Sequence, residues 1–452
     1  VQGSRGAGVQ GEQGSRRSRG SYNSNSPSSP SSPSSPSSPS SPSSPSSPSS
    51  PPSPPSPSSP PSPSSPSSPS SPSSPSSPPS PSSPSSPSSP SSPPSPHSPK
   101  PMLLKLEPRS VPSKTWQVLS PLLALLGTLI FGLVLFGSLG KPPITALQTL
   151  LISPLSNFYG LTELAVKAAP ILLIAVGLAL CFQAQVWNIG AEGQLTVGAI
   201  FGGAVALIFP NVNNYGILLL SLIAGVLGGV IWGSIPAFLK VRFHTNEILT
   251  SLMLNYVANS LLNYLVHGPL KDPQGFNFPE SAPFSQFASL TPLIAGTRLH
   301  AGVIFAVVAA VLIWGVLRQT FFGFSVRVVG SSSEAAVYAG IKSDRIIWLT
   351  LLISGGLAGL AGVCEVLGPI GQLRPNISPG YGYTAIIAAF IGRLNPVGII
   401  LSSLLMALLY VGGELVQIKL SLPLALIGMF QGVLFFFLLA ADILIYNRVR
   451  VK

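Results

Sequence analysis

From Trp116 onward the chain is a series of apolar runs, most of them roughly the twenty residues that a helix needs to cross ~30 Å of hydrocarbon. Lipid offers no water to satisfy a backbone, so such a run must close its own hydrogen bonds, which a helix does. Nothing else in the sequence restricts the fold as strongly. Composition agrees, with 8% of residues charged against about a quarter in soluble domains. That figure still blends two unlike chains, because 31 of the 50 prolines lie between residues 27 and 101. The fold expected is an all-α polytopic membrane protein, preceded by a Pro/Ser-rich segment.

Residues 1–110 open with a Gly/Ser/Arg-rich lead and continue as a Ser-Ser-Pro repeat. The repeat holds no apolar side chains from which to build a core, so it is expected to be disordered. Its period of three matches a polyproline II turn, which makes it a semi-rigid tether and gives every PSSP the form of a PxxP ligand. An upstream extension of the reading frame is the alternative. No charged-then-apolar leader with a small-residue cleavage site stands at Val1, so insertion is expected to rely on the first span. Residues 111–452 form the expected membrane domain.

Ten crossings are expected, at 116–139, 161–181, 190–209, 216–239, 247–266, 299–316, 346–366, 383–391, 397–417 and 423–446. The run 383–391 is short and reads as a tilted or broken helix, and 144–158, interrupted by Pro154, as an interfacial one. With both termini placed in the cytoplasm, 14 Lys and Arg beyond residue 99 fall inside. Five fall outside: Lys141, Lys271, Arg298, Arg374 and Lys419. That is the positive-inside bias of a cytoplasmic-membrane protein. The formal charge of +12 is spread along the chain rather than gathered in a patch, which argues against a nucleic-acid partner. Cys181 and Cys364 sit in apolar runs without a CxxC or Cys/His cluster, so neither metal nor cofactor is expected.

Two stretches carry polar groups into this apolar background. Asn188, Glu192 and Gln194 stand among glycines where two spans meet, suiting a tight turn or broken helix whose freed backbone groups must face protein or water. Its expected place near the inner surface favours a gate or bundle-stabilising role over direct solute contact. Glu247, Ser251, Asn255, Asn259 and Asn263 recur at every fourth residue of one span, a stripe expected to avoid lipid and to line a solute pathway. The plainer role for such a stripe is hydrogen bonding between helices. Glu365, Glu414 and Asp442 lie near span ends and are expected to be interfacial.

A charged segment at 324–345 runs directly into an apolar helix dense in small residues, with Gly355 and Gly359 at GxxxG spacing, which admits another helix closely. Its residues Gly330, Glu334, Ala335, Ala336, Gly340 and Ile341 resemble the cytoplasmic coupling helix of ABC importer permeases, in the branch handling simple sugars, nucleosides and branched-chain amino acids. The run VWNIGAEGQ at 186–194 resembles a signature of the sugar and nucleoside sub-branch. The likeness spans roughly residues 115–447. It implies a permease that translocates a nucleoside or simple sugar inward. It also implies a separate ABC ATP-binding subunit docking at 334–341, a second homologous permease and an extracytoplasmic solute-binding protein, all set in membrane lipid.

The chain has no phosphate-cradling GxxxxGK[ST], nor an HExxH or GxSxG, so neither ATP hydrolysis nor intramembrane proteolysis is expected of it and no catalytic residue is assigned. The rival reading is an ion-coupled secondary transporter of a small polar solute, with Glu192 and Glu247 as carboxylate relays.

Overall fold

The apolar runs are helices wherever their length allows. In a computed structural model of the chain, residues 104–108, 114–423 and 425–451 are described. The elements are β1 (Leu104–Pro108), α1 (Lys114–Ser138), α2 (Pro143–Leu151), α3 (Phe158–Gln183), α4 (Ala191–Ile208), α5 (Gly216–Phe243), α6 (Glu247–His267) and α7 (Gly302–Gln319). They continue with α8 (Phe321–Ser331), α9 (Ser333–Tyr338), α10 (Ser343–Glu365), α11 (Tyr381–Ile391), α12 (Pro396–Leu420), α13 (Ala425–Tyr446) and β2 (Asn447–Val451). A π-helical turn, Val366–Ile370, extends α10.

Every expected crossing coincides with one of these helices, but not all qualify alike. Among the described residues eight helices are long and apolar enough to cross a membrane, and α6 and α11 are not in that set. α6 has the length and loses apolarity to its polar stripe; α11, at 11 residues, spans about half the hydrocarbon. Ten as a number of crossings is therefore not established. The expected disordered segment lies outside the described residues except for β1. That strand pairs antiparallel with β2, Leu104 opposite Val451 and Pro108 opposite Asn447, joining the start of the described chain to its end.

α3 is the central post. From Ile171 to Phe182 its side chains are all buried, with α7, α10, α11 and α12 packed around it. α1 and α13 pair with each other at the periphery and keep Leu122, Leu126, Val134, Phe436 and Leu439 exposed, as lipid-facing helices do. The most extensive contact is α5 on α10, and it depends on the expected small residues. A Cβ on Gly229 would lie 2.1 Å from the Gly355 carbonyl oxygen, and one on Gly359 would lie 2.3 Å from that of Gly225. The GxxxG of α10 thus meets a second GxxxG in α5.

The long connection from α6 to α7 caps one end of the bundle. Its backbone N–H groups at Ser281, Phe284 and Leu290 donate to the carbonyls of Leu373, Gly371 and Leu367, at 2.9, 2.9 and 2.7 Å. Arg298 forks onto the buried carboxylate of Glu163 in α3, through two hydrogen bonds. α8 and α9 lie at the opposite end.

Candidate functional site

Between α3 and α4 the chain does not turn at the bundle's end. Residues 184–190 are irregular, and they carry Asn188 back to Ser354, about three turns into α10. Asn188 donates through Nδ2 to Ser354 Oγ and to Gln194 Oε1, both at 3.0 Å, and its Oδ1 accepts from Gln194 Nε2 and from Gly190 N. The polar stretch therefore lies within the bundle, against the first turns of α6 and about three turns into α10.

α6 supplies the other wall. Ser251 Oγ accepts from Ile189 N at 3.2 Å; Asn255 Oδ1 accepts from Gly193 N at 2.8 Å, and its Nδ2 donates to Ile189 O at 2.9 Å and to Tyr383 OH at 3.1 Å. Glu247, at the start of α6, pairs with Lys240 at 2.6 Å and accepts from Trp187 N at 3.4 Å. Backbone groups that the irregular segment leaves without helical partners are thus satisfied by side chains of α6.

The stripe itself divides. Glu247, Ser251 and Asn255 are buried, whereas Asn259 and Asn263 are exposed. At 100° per residue, a spacing of four drifts about 40° per step, so the row winds from the face against α4 to an uncovered one. On that face stand Tyr256, 61% exposed, and Tyr264, 68% exposed. Among the described residues the Asn259 side chain keeps only a long contact, its Oδ1 accepting from Thr196 Oγ1 at 3.5 Å.

Glu192 ties the site to α11. Its Oε2 accepts from Gly382 N at 2.6 Å, which places a carboxylate at the N-terminal turn of α11 from the first turn of α4. Two helix N-termini, each a partial positive charge, so share one buried acid. Gly382 permits the approach, since a Cβ there would lie 2.5 Å from Glu192 N. Toward the α8 end, Phe182 and Phe390 stack at 5.2 Å, with Trp187 5.3 Å from Phe182, forming an aromatic floor below the irregular segment.

The segment expected to couple to an ATPase is two helices, not one. α8 packs on the end of α3, close enough that a Cβ on Gly330 would lie 1.9 Å from the Gln183 carbonyl oxygen. Ser332 then caps α9, its Oγ accepting from Ala335 N at 3.2 Å, and Glu334 stands in the first turn. The helix ends when Gly340 N donates to Val337 O at 3.0 Å and Ile341 N to Ala336 O at 2.9 Å, with Gly340 at φ +72°. That is a Schellman stop, in which Ala336 and Ile341 are the buried apolar pair and Gly340 supplies the left-handed residue. Glu334, Ala335 and Gly340 face outward. So do Val337 and Tyr338, at 68% and 93% exposure.

Sequence reasoning missed Ser354, Gly382 and Tyr383, which complete the site. Ser354 sits beside the GxxxG and Tyr383 near the start of the half-length helix, but their partners lie more than 100 residues away. Of the expected interfacial acids, Glu365 is buried at 6% exposure, while Glu414 pairs with Lys167 at 3.2 Å and Asp442 holds Arg393 at 2.6 and 2.7 Å. No group of three His, Cys, Asp or Glu able to hold a metal ion occurs among the described residues. The site has no paired nucleophile and base; it offers hydrogen bonds and helix ends.

Residues 160–439 match the family described as the permease component of the branched-chain amino acid transport system. The chain belongs to this family. It is also 37% identical over 360 residues to the glucose ABC transporter permease protein TsgB13 of Haloferax volcanii, covering 77% of this chain and 93% of that one. The guanosine ABC transporter permease protein NupP of Bacillus subtilis is 31% identical, with 68% of this chain and 88% of that one aligned. The nucleoside ABC transporter permease protein NupB of Lactococcus lactis is 29% identical, with 66% and 85% aligned. The resemblance at 186–194 and 330–341 accordingly extends over the whole helical bundle, and the chain is a multi-pass ABC importer permease. A permease of this kind works with an ATP-binding subunit and a partner permease.

Proposed function

We propose that this permease carries a nucleoside or a simple sugar inward across the cytoplasmic membrane, between itself and a second, homologous permease. The observation that carries the reading is the uncovered face of α6. Tyr256, Asn259, Asn263 and Tyr264 are exposed on a helix whose other face is held against α4 and the irregular segment by Glu247, Ser251 and Asn255. Polar side chains at that depth belong against protein or water, not lipid. Amide and phenol groups suit a neutral, hydroxyl-rich solute, as the glucose, guanosine and nucleoside relatives support.

In this reading Asn259 lines the pathway, and Asn188, Gln194, Glu247, Ser251 and Asn255 hold its wall. Glu192 sets the end of α11, whose Tyr383 hydroxyl faces the same flank. Both chain termini and α8 and α9 are cytoplasmic, as the positive-inside bias supports. The ATP-binding subunit performs the hydrolysis and meets Glu334, Ala335 and Gly340, with Val337 and Tyr338 as apolar contacts. Gly330, Ala336 and Ile341 shape that surface from beneath. The cap at 268–301 receives an extracytoplasmic solute-binding protein.

The test is uptake by proteoliposomes holding the permease pair and its ATPase, with labelled guanosine, ribose and glucose. Uptake of one of these is expected to require ATP and to persist when ion gradients are collapsed, and Asn259→Leu should reduce it without lowering the melting temperature. Uptake that survives without the ATPase and stops with the gradient would establish the ion-coupled rival instead.

A further inference from the structure

The functional reading leaves unused an open cavity of about 360 Å³ at the α8 end of the bundle. That volume falls within the ~300–1,000 Å³ usual for small-molecule sites. Three arginines line it, Arg318 from the last turn of α7, Arg327 from α8 and Arg393 from the turn between α11 and α12, together with Trp314, Gln183 and Asn395. Among the described residues Asp442 balances only Arg393, which also hydrogen-bonds Ser120 and keeps a buried Nε without a partner there. Among the described residues neither Arg318 nor Arg327 forms an ion pair: Arg318 lies over the Trp314 ring at 5.5 Å, and Arg327 donates to the Leu317 carbonyl. The N-terminus of α12, capped by Asn395, adds its partial positive charge to the same wall.

The helices that contribute to the cavity also carry exposed apolar side chains. Val311 and Leu312 on α7, Phe321 and Phe324 on α8, and Val397 and Leu401 on α12 are all exposed. Unbalanced arginines therefore stand at the edge of a lipid-facing surface, with an indole beside them of the kind that marks the membrane interface.

We propose that this cavity binds the phosphate of an anionic phospholipid, whose acyl chains lie on the exposed apolar side chains of α7 and α12. Basic pockets between spanning helices hold such headgroups, and a guanidinium matches phosphate oxygens in a bidentate fork. The lipid would bridge the α7–α8 junction to the α11–α12 turn. That joins the segment leading to α9 to the helix whose N-terminus Glu192 holds.

The experiment uses the purified full chain in detergent, with phosphatidylglycerol, phosphatidylcholine or inorganic phosphate added, read by native mass spectrometry and by melting temperature. Phosphatidylglycerol should be retained and should raise the melting temperature, while phosphatidylcholine and inorganic phosphate should do neither. Retention should weaken by roughly fivefold for each arginine replaced in Arg318→Gln and Arg327→Gln, the worth of one basic side chain at an anionic surface. Because Arg327 also ties α8 to α7, Arg318→Gln alone keeps the test sound if the Arg327 variant fails to fold. Unchanged retention by Arg318→Gln overturns the proposal, as does equal stabilisation by phosphatidylcholine. Stabilisation by inorganic phosphate would make the site one for a free anion. Loss of a copurifying ATPase with retention intact would make it a protein-docking surface, and either result overturns the lipid assignment.

Discussion

Replacing Asn255 with Leu tests what the buried half of the α6 stripe does. If Asn255 only joined two helices through side chains, the change would cost ~0.6 kcal/mol, the average for such bonds in membranes. Its partners are instead backbone groups of the broken segment and of the first turn of α4: the Ile189 carbonyl at 2.9 Å and Gly193 N–H at 2.8 Å, plus the Tyr383 hydroxyl at 3.1 Å. A buried backbone group left unsatisfied costs about 1–3 kcal/mol. Two are stranded together, and the leucine side chain recovers part of the loss by packing, so the net destabilisation is about 2–4 kcal/mol. The melting temperature in detergent should fall by several degrees for Asn255→Leu and stay near the wild-type value for Asn259→Leu, whose side chain is exposed. Uptake should fall in both. If Asn255→Leu melts like the wild type, or Asn259→Leu melts as low as Asn255→Leu, the division of the stripe into a holding half and a pathway half is wrong.

Glu192→Gln keeps an oxygen for Gly382 N and should retain most stability, whereas Glu192→Leu strands the α11 N-terminus and should cost about 1–3 kcal/mol in the same melting assay; equal melting of the two would remove the capping role. Glu334→Lys reverses a charge on an exposed first turn, so copurification with the ATP-binding subunit should fall while melting of the isolated permease is unchanged; normal assembly and transport would count against the coupling assignment. His300, buried in the cap with Nδ1 accepting from Gly302 N at 3.1 Å and Nε2 unpartnered, has its pKa lowered to about 4 by burial. The unfolded chain then binds a proton that the native state refuses, so stability is full above pH ~6.5 and declines toward pH ~4, by about 3 kcal/mol in all. His300→Asn should flatten this part of the melting-against-pH curve, and an unchanged slope would show that other groups set it.

Residues 330–341 show how far local sequence reaches. Ser332, Glu334, Gly340 and the pair Ala336 and Ile341 specify a short capped helix with a left-handed stop, because every interaction involved closes within a few residues. The positions of the apolar helices were legible for the same reason, since each satisfies its own backbone and only its length and apolarity need be read. The GxxxG of α10 announced a close neighbour without naming it; that α5 answers with Gly225 and Gly229 depends on how the helices pack.

The site was half legible. Its polar residues stood out from an apolar background, and Asn188, Glu192, Gln194, Glu247, Ser251 and Asn255 do converge. What each one does was not, because their partners come from α10 and α11. The sequence alone determined that this chain is a helical membrane protein with a short capped helix at 333–338 and polar groups set into apolar runs, all consequences of local hydrogen bonding and hydropathy. Only the tertiary structure decided that residues 184–190 lie within the bundle and that one acid serves two helix ends. It also decided that the winding of α6 turns Asn259 outward while Asn255 stays buried, because helix phase becomes burial only when neighbouring helices cover one face.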